Sequence, residues 1–208
     1  MPDELVFYTN PMSRGRIVRW MLEEVGAPYR TEIIDYDNMK SAAYLAINPM
    51  AKVPSLRHRE VVVTECAAIC AYLADAFPEA GLAPPMGDHA RGAYFRWLFF
   101  AAGPIEAAMT DKRLGVTVTP EQERMVGYRN AAAVLDVAEA AVAKSSYVAG
   151  ERFTAADVYF GSQIGYGMMF GGIDKRPAFE RYWQRVSSRP AAIRANEIDG
   201  GMPAPQAA

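Results

Sequence analysis

Residues 52–69 read KVPSLRHREVVVTECAAI, and the parsing of this stretch decides the fold of everything before it. Val53-Pro54-Ser55-Leu56 and Val61-Val62-Val63 are two short β-prone runs around a charged Arg57-His58-Arg59-Glu60 turn, the pattern of an antiparallel hairpin. Glu65 then opens a helix whose apolar face carries Ala68, Ile69, Tyr72, Leu73 and Ala76. Upstream, Leu5 to Thr9 is a short apolar and aromatic strand, broken by Asn10-Pro11-Met12-Ser13. From Arg14 onward Ile17, Val18, Met21, Leu22 and Val25 recur at helical spacing, with Arg16, Arg19, Glu23 and Glu24 on the other face. Gly26 followed by Pro28 stops that helix, and residues 31–35 read as a second strand. Strand, crossover helix and strand make a βαβ unit, so these two strands are expected to be parallel. A short helix over residues 41–47, ended by Asn48-Pro49, precedes the hairpin. The order is βαβ, helix, ββα.

The remainder reads as helix. The Pro/Gly-rich run PEAGLAPPMGD after Phe77 marks a boundary, giving a first domain over 1–77, a linker over 78–87 and an all-helical domain over 88–208. Asp88 is placed to cap a long helix carrying Tyr94, Phe95, Leu98, Phe99 and Ala102, kinked at Gly103-Pro104. Thr119-Pro120-Glu121-Gln122 combines a cap, a first-turn proline and a capping-box glutamine, which predicts a helix burying Met125, Tyr128, Leu135, Ala138 and Val142. Thr154 and Asp157 form a second box-like start, with Phe153 and Val158 as its hydrophobic staple. A last helix around Phe179, Tyr182, Trp183 and Val186 ends near Ser188-Arg189-Pro190, and the tail after about residue 199 is expected to be disordered.

Composition narrows the function. Half of the 208 residues are hydrophobic, enough for a sizeable core. A net charge of −2 with no basic cluster argues against nucleic acid or an anionic membrane as partner. No apolar run reaches the roughly 18–20 residues that span a bilayer, and the acidic N-terminus lacks a signal layout. Cys66 and Cys70, four apart without a CxxC, make neither a disulfide scaffold nor a dithiol redox pair, and the expected compartment is the reducing cytoplasm. His58 and His89 are expected at the surface, and no metal site is expected.

Three local signals carry chemistry. At Ser13 a strand turns into a helix, where a hydroxyl and free amides favour an anion such as a thiolate; a plain helix cap explains the same residue. At Lys52-Val53-Pro54 a proline opens a strand, which fits either a trans edge strand or a cis bond presenting the Val53 backbone to an extended peptide. At Glu65-Cys66 a carboxylate adjoins the first amides of a helix, which suits an ammonium and a carboxylate of one ligand, or only the helix dipole.

In this order, FYTNPMSRGRIVRWMLEEVGAPY, INPMAKVPSL, TECAAICAYLAD, YVAGERFTAADVYF and YWQRVSSRPA resemble the cytosolic glutathione transferases, in particular bacterial, beta- and theta-like, serine-type members. The resemblance implies a thioredoxin-like N-terminal domain, an all-helical C-terminal domain, a homodimer and glutathione as co-substrate. It implies that the Val53 backbone pairs with the cysteinyl unit of glutathione next to Pro54, that Glu65 and Cys66 hold the γ-glutamyl end, and that Lys52 sits near the glycyl carboxylate. Cys66 stands where the family has serine, which weakens one hydroxyl contact. Ser13 falls on the activating Ser or Cys of some classes and Tyr8 near the activating Tyr of others. Ser13 is preferred because the longer loop displaces Tyr8, and Asn10 or the loop amides remain further candidates. An apolar electrophile would meet Phe100, Glu106, Met109 and Met168, a set that ordinary bundle packing also explains. Transfer of glutathione to an electrophile is the expected activity. Isomerase, dehalogenase or peroxidase chemistry, or binding without catalysis, are the alternatives on the same scaffold.

Overall fold

The computed structural model of the chain describes residues 4–201. It divides into two compact units, residues 4–82 with 189–201, and residues 83–188.

The first unit is a four-stranded sheet in the order β2-β1-β3-β4. Its middle is β1 (Leu5–Thr9), where Leu5, Val6 and Phe7 are all buried, as a strand covered on both faces requires. β2 (Tyr29–Ile33) runs parallel to β1, as the βαβ reading predicts. β3 (Ser55–His58) and β4 (Val61–Thr64) form the expected antiparallel hairpin. The crossover is α1 (Gly15–Val25), closed by the left-handed Gly26 at φ 74, whose N–H donates to Leu22 C=O. A 3-10 turn over Tyr36–Lys40 and the short α2 (Ala42–Leu45) lead into the hairpin, and α3 (Cys66–Ala76) follows it. Ile17, Val18, Met21, Leu22, Leu56, Ile69 and Leu73 join the strand residues in the core.

The polar face of α1 is not solvated as its pattern suggests. Arg16 and Arg19 are 7% and 3% exposed, because the chain returns at its end as α9 (Pro190–Ile198) and packs along α1. Arg19 Nε lies 3.2 Å from Asp199 Oδ1, its Nη1 donates to the Tyr29 and Thr31 hydroxyls, and its guanidinium sits 4.9 Å over the Phe7 ring. Arg189 grips Glu24 through two bonds of 2.7 Å. The helix ending expected at Ser188-Arg189-Pro190 is real, but Pro190 also sits in the first turn of a new helix, where its missing N–H costs nothing. Of the tail expected to be disordered, residues 202–208 lie outside the described residues. His58, expected at the surface, is half-buried: its Nδ1 is 2.9 Å from the Tyr72 hydroxyl and its ring stacks on Phe77.

In the second unit α4 (Ala90–Phe100) starts where Asp88 accepts the Ala90 N–H at 2.9 Å. The break at Gly103-Pro104 takes the form of a π-helical turn over Ala101–Ile105 that runs on into α5 (Glu106–Arg113). The helix predicted from Thr119 begins only at α6 (Ala131–Lys144), and Met125, expected in the core, is 84% exposed. Thr119 and Gln122 do pair, with Thr119 N–H donating to Gln122 Oε1, yet they close a single turn. Residues 121–127, with Glu121, Glu123, Arg124 and Gly127, offer no continuous apolar face, whereas Asn130 caps the Ala133 N–H and Leu135, Ala138 and Val142 are buried beyond it. α7 (Ala155–Met169) packs against α4 and α8 (Pro177–Ser187), with Phe160 edge-on to Trp97 and Tyr182. No helix among the described residues is long and apolar enough to cross a membrane.

The box at the start of α7 is more than a cap. Asp157 is fully buried and accepts from the Thr154 N–H and hydroxyl, from the Val148 N–H and from the Tyr182 hydroxyl. Burial pushes its carboxyl up to about 6, against the pull of those hydrogen bonds. A folded value above the unfolded 3.8 means that protonation stabilises this unit fully below pH 3.8 and that the contribution fades as pH rises through about 6. The Asp157→Asn variant lacks this titration. Urea unfolding should therefore show wild type losing about 2 kcal/mol relative to the variant between pH 4 and 6.5. A difference that stays flat with pH would remove the buried carboxylate from the account.

Candidate functional site

The ladder sets what meets at the site. Tyr8 pairs with Ser55, and Ser55 with Thr64. The chain leaving β1 at Thr9, entering β3 through Val53-Pro54 and leaving β4 at Glu65 therefore converges at one end of the sheet. The Cys66 thiol joins the first turns of α3 and α1, donating to Arg14 C=O at 3.7 Å. The three segments singled out in the sequence are thus brought together.

Val53–Pro54 is cis. The loop before it is fastened through the Lys52 carbonyl, which accepts from the Tyr44 hydroxyl at 2.6 Å and from Asn48 Nδ2 at 2.8 Å. Tyr44 also lies 3.0 Å from the buried Ser55 hydroxyl, and burial raises its phenol above the usual range. Two donors on one carbonyl hold the strand entry rigid, while the Val53 N–H and C=O engage no partner among the described residues. Tyr44 and Asn48 were not singled out by sequence reasoning. Their signal was a four-residue spacing across the end of a short helix, which puts both side chains on the side of Lys52.

Glu65 precedes α3 with φ 66 and ψ 120, a backbone conformation that side chains adopt only under strain. Its carboxylate is exposed and has no partner among the described residues. Behind it the first amides of α3 point outward without intrahelical acceptors. Cys66 itself is buried, and one turn on, burial raises the Cys70 thiol well above its ordinary value, so that thiol is no nucleophile.

The two candidate activators differ in how they are occupied. Ser13 Oγ–H donates to Asn10 C=O at 2.7 Å and Oγ accepts the Gly15 N–H at 2.9 Å, so its one proton is already committed to the turn. Asn10 is held in turn by donating to Ile34 C=O and accepting the Met12 N–H. Gly15 is obligatory: a Cβ there would collide with Thr9 Oγ1. Tyr8 is half-buried, tilted against Tyr44 with ring centroids 6.2 Å apart, and its hydroxyl has no partner among the described residues. Lys52 is exposed.

The residues expected to meet an electrophile are held largely by the second unit's own packing. Glu106 Oε2 accepts from the Tyr159 hydroxyl at 3.0 Å and from Gln163, Phe100 lies edge-on to Trp97, Met168 is buried and Met109 is half-buried. Among the described residues no group of three or more His, Cys, Asp or Glu is placed to hold a metal.

Residues 12–76 match the family model for the glutathione S-transferase N-terminal domain, and residues 93–190 that for the C-terminal domain. An uncharacterized GST-like protein of Streptococcus mutans is 30% identical over 82% of this chain and 70% of its own length. Glutathione S-transferase GstA of Escherichia coli O157:H7 is 28% identical over 76% of this chain and 78% of its own. A sphingomonad glutathione S-transferase, solved in complex with glutathione, superimposes with a TM-score of 0.76 at 27% identity, covering 94% of this chain and 98% of that one.

The strain at Glu65 is open to measurement. Glycine carries no penalty at positive φ, so Glu65→Gly should raise unfolding stability by about 1 kcal/mol after its own entropic cost, whereas Glu65→Ala, still strained, should not. Equal stabilities of the two variants in urea would show that the conformation is stress-free.

Proposed function

We propose that this chain, which belongs to the cytosolic glutathione transferase family, binds glutathione at the C-terminal end of β1 and activates its thiol for attack on an apolar electrophile. One observation carries the reading: a backbone edge at Val53 and a carboxylate at a strained helix start, both without a partner among the described residues, share an end of the sheet. Strain and unspent polar groups persist where a ligand uses them.

The roles follow from the chemistry of each group. An extended peptide adds as a short strand to the Val53 N–H and C=O. Glu65 takes the γ-glutamyl ammonium, and the first amides of α3, at Cys66 and beyond, take the carboxylate beside it. Lys52 reaches the glycyl carboxylate as an exposed cation. Peptide recognition in this arrangement leaves the cysteinyl sulfur toward the β1–α1 turn. The sulfur, as thiolate, then forms a C–S bond to an electrophilic carbon whose leaving group departs with the electron pair.

Thiolate formation at neutral pH asks for about two units below 8.5, or roughly 2.7 kcal/mol. Ser13 donates to the sulfur only by giving up Asn10 C=O. A bond to a charged acceptor contributes about 1.5–3 kcal/mol against about 1 for a neutral one. The exchange is favourable, yet it nets only about 0.5–2 kcal/mol, and the loop amides must supply the rest. The unoccupied Tyr8 hydroxyl favours a second reading, in which the phenol, with no bond to surrender, is the donor. A protein that binds glutathione without catalysis would show the same peptide contacts and no fall in thiol pKa.

Glu65→Gln should weaken glutathione binding by about 1.5–3 kcal/mol in calorimetry, and unchanged affinity would take Glu65 out of the site. In Ser13→Ala the thiolate absorbance should titrate at higher pH, and conjugation at neutral pH should fall about 2- to 30-fold with glutathione affinity kept. Should the titration move in Tyr8→Phe and stand still in Ser13→Ala, the donor is Tyr8. A two-fold homodimer belongs to the same proposal, and a monomeric mass in light scattering at micromolar concentration would remove it.

A further inference from the structure

We propose that the C-terminal segment 196–201 is a working part of the thiol site, fastened through Arg16 to the turn that carries Ser13. Arg16 lies in the first turn of α1 with its guanidinium buried between two pieces of chain that are far apart in sequence. On one side its Nε donates to Pro11 C=O at 2.6 Å. On the other, one terminal nitrogen donates to Asp199 C=O at 2.8 Å and to Gly201 C=O, and the second donates to Asn196 Oδ1 at 3.3 Å.

Three of these four acceptors are main-chain carbonyls, so Arg16 senses the path of the chain at Pro11, Asp199 and Gly201. That path is set locally. Gly200 and Gly201 take φ 77 and 79, and the Gly201 N–H closes back on Asn196 C=O, which turns the carbonyls of the segment toward Arg16. Asp199 is held a second time by the buried Arg19.

The turn itself has few other anchors. Asn10 ties its start to Ile34 on the β2 side, and Arg16 ties Pro11 to the C-terminal side. Between them Met12 C=O accepts from the Tyr36 hydroxyl at 2.9 Å, while Ser13 is bonded only inside the turn. A rigid planar fork that bridges two segments transmits a shift of one to the other, and lysine, a single point charge, does not. Coupling of this kind is reciprocal: whatever loosens the segment loosens the turn, and the reverse. Residues 196–201 lie beyond both family-model matches, which end at residues 76 and 190, so nothing in those matches assigns them a role. Arg16 acts through Pro11 and is a positioning residue, not a catalytic one.

The link between this coupling and thiol activation rests on the proposed function, and two readouts keep them apart. Amide exchange at Met12, Ser13 and Gly15 reports the turn without any ligand. Arg16→Lys disturbs the clamp at its centre, and Ala195→Asp, at a buried position of α9, disturbs it from the C-terminal side. In the full chain both should speed exchange at those three amides about tenfold or more, while Arg176→Met, which releases Asp136 and Glu139 in the second unit, should not. With both disturbances kcat should fall about tenfold and KM for glutathione stay within about twofold, since a misplaced donor affects the reacting atom and not peptide recognition. Unchanged exchange in the turn of both variants overturns the proposal. Accelerated exchange in variants of a wild type that neither binds nor conjugates glutathione upholds the coupling and overturns the functional reading instead.

Discussion

Everything at the sheet end depends on β1 being paired on both sides. β2 bonds to one edge and β3 to the other, and Leu5, Val6 and Phe7 are buried on both faces of the strand. Burial of such side chains contributes about 1.5–3 kcal/mol each, and this pins the strand against sliding or tilting. Because β1 cannot shift, the chain that leaves it at Thr9 starts from a fixed point. The crowding of Thr9 against Gly15 then allows only one tight path into α1. The hairpin delivers Val53-Pro54 and Glu65 to that same end through its register, not through any direct bond between them.

Around this rigid frame, polar groups are treated in two opposite ways. In the core of the helical unit Asp157 is fully used, its two oxygens taking four hydrogen bonds. Where the ligand is proposed to sit, groups are left unspent: the Val53 backbone, the Glu65 carboxylate and the Tyr8 hydroxyl have no partner among the described residues. The Lys52 carbonyl shows how the two regimes meet. Two donors saturate it so that the next residue, Val53, is presented with its own groups free. Ser13 stands between the regimes, with a hydroxyl engaged in its turn, so any service to a thiolate is an exchange of partners and not a new bond.

The local code of this chain was readable without coordinates. Strand and helix order in the first unit, the parallel β1–β2 pair, the hairpin, the Gly26 stop and the Thr154–Asp157 box are all written within a few consecutive residues, because hydrophobic period, caps and turn chemistry act over that range. Local code also misled where two meanings shared one pattern. Thr119-Pro120-Glu121-Gln122 makes one capping bond, from the Thr119 N–H to Gln122 Oε1, in a turn that no apolar face extends, and Ser188-Arg189-Pro190 both ends one helix and begins another.

What the sequence by itself determined, then, is the order of elements in the first unit through α3 and the meeting of three motifs at one sheet end. The fate of each polar group was decided only in three dimensions. Arg16 and Arg19 look solvated in any helical projection and are buried because α9 returns across some 180 residues to cover them. The Ser13 hydroxyl looks available and is occupied, and Glu106 looks like a pocket residue and is tied to Tyr159. A side chain's type and spacing are properties of its neighbours in sequence. Whether its proton or lone pair is free depends on which distant atoms packing brings within about 3 Å, and no periodicity records that distance.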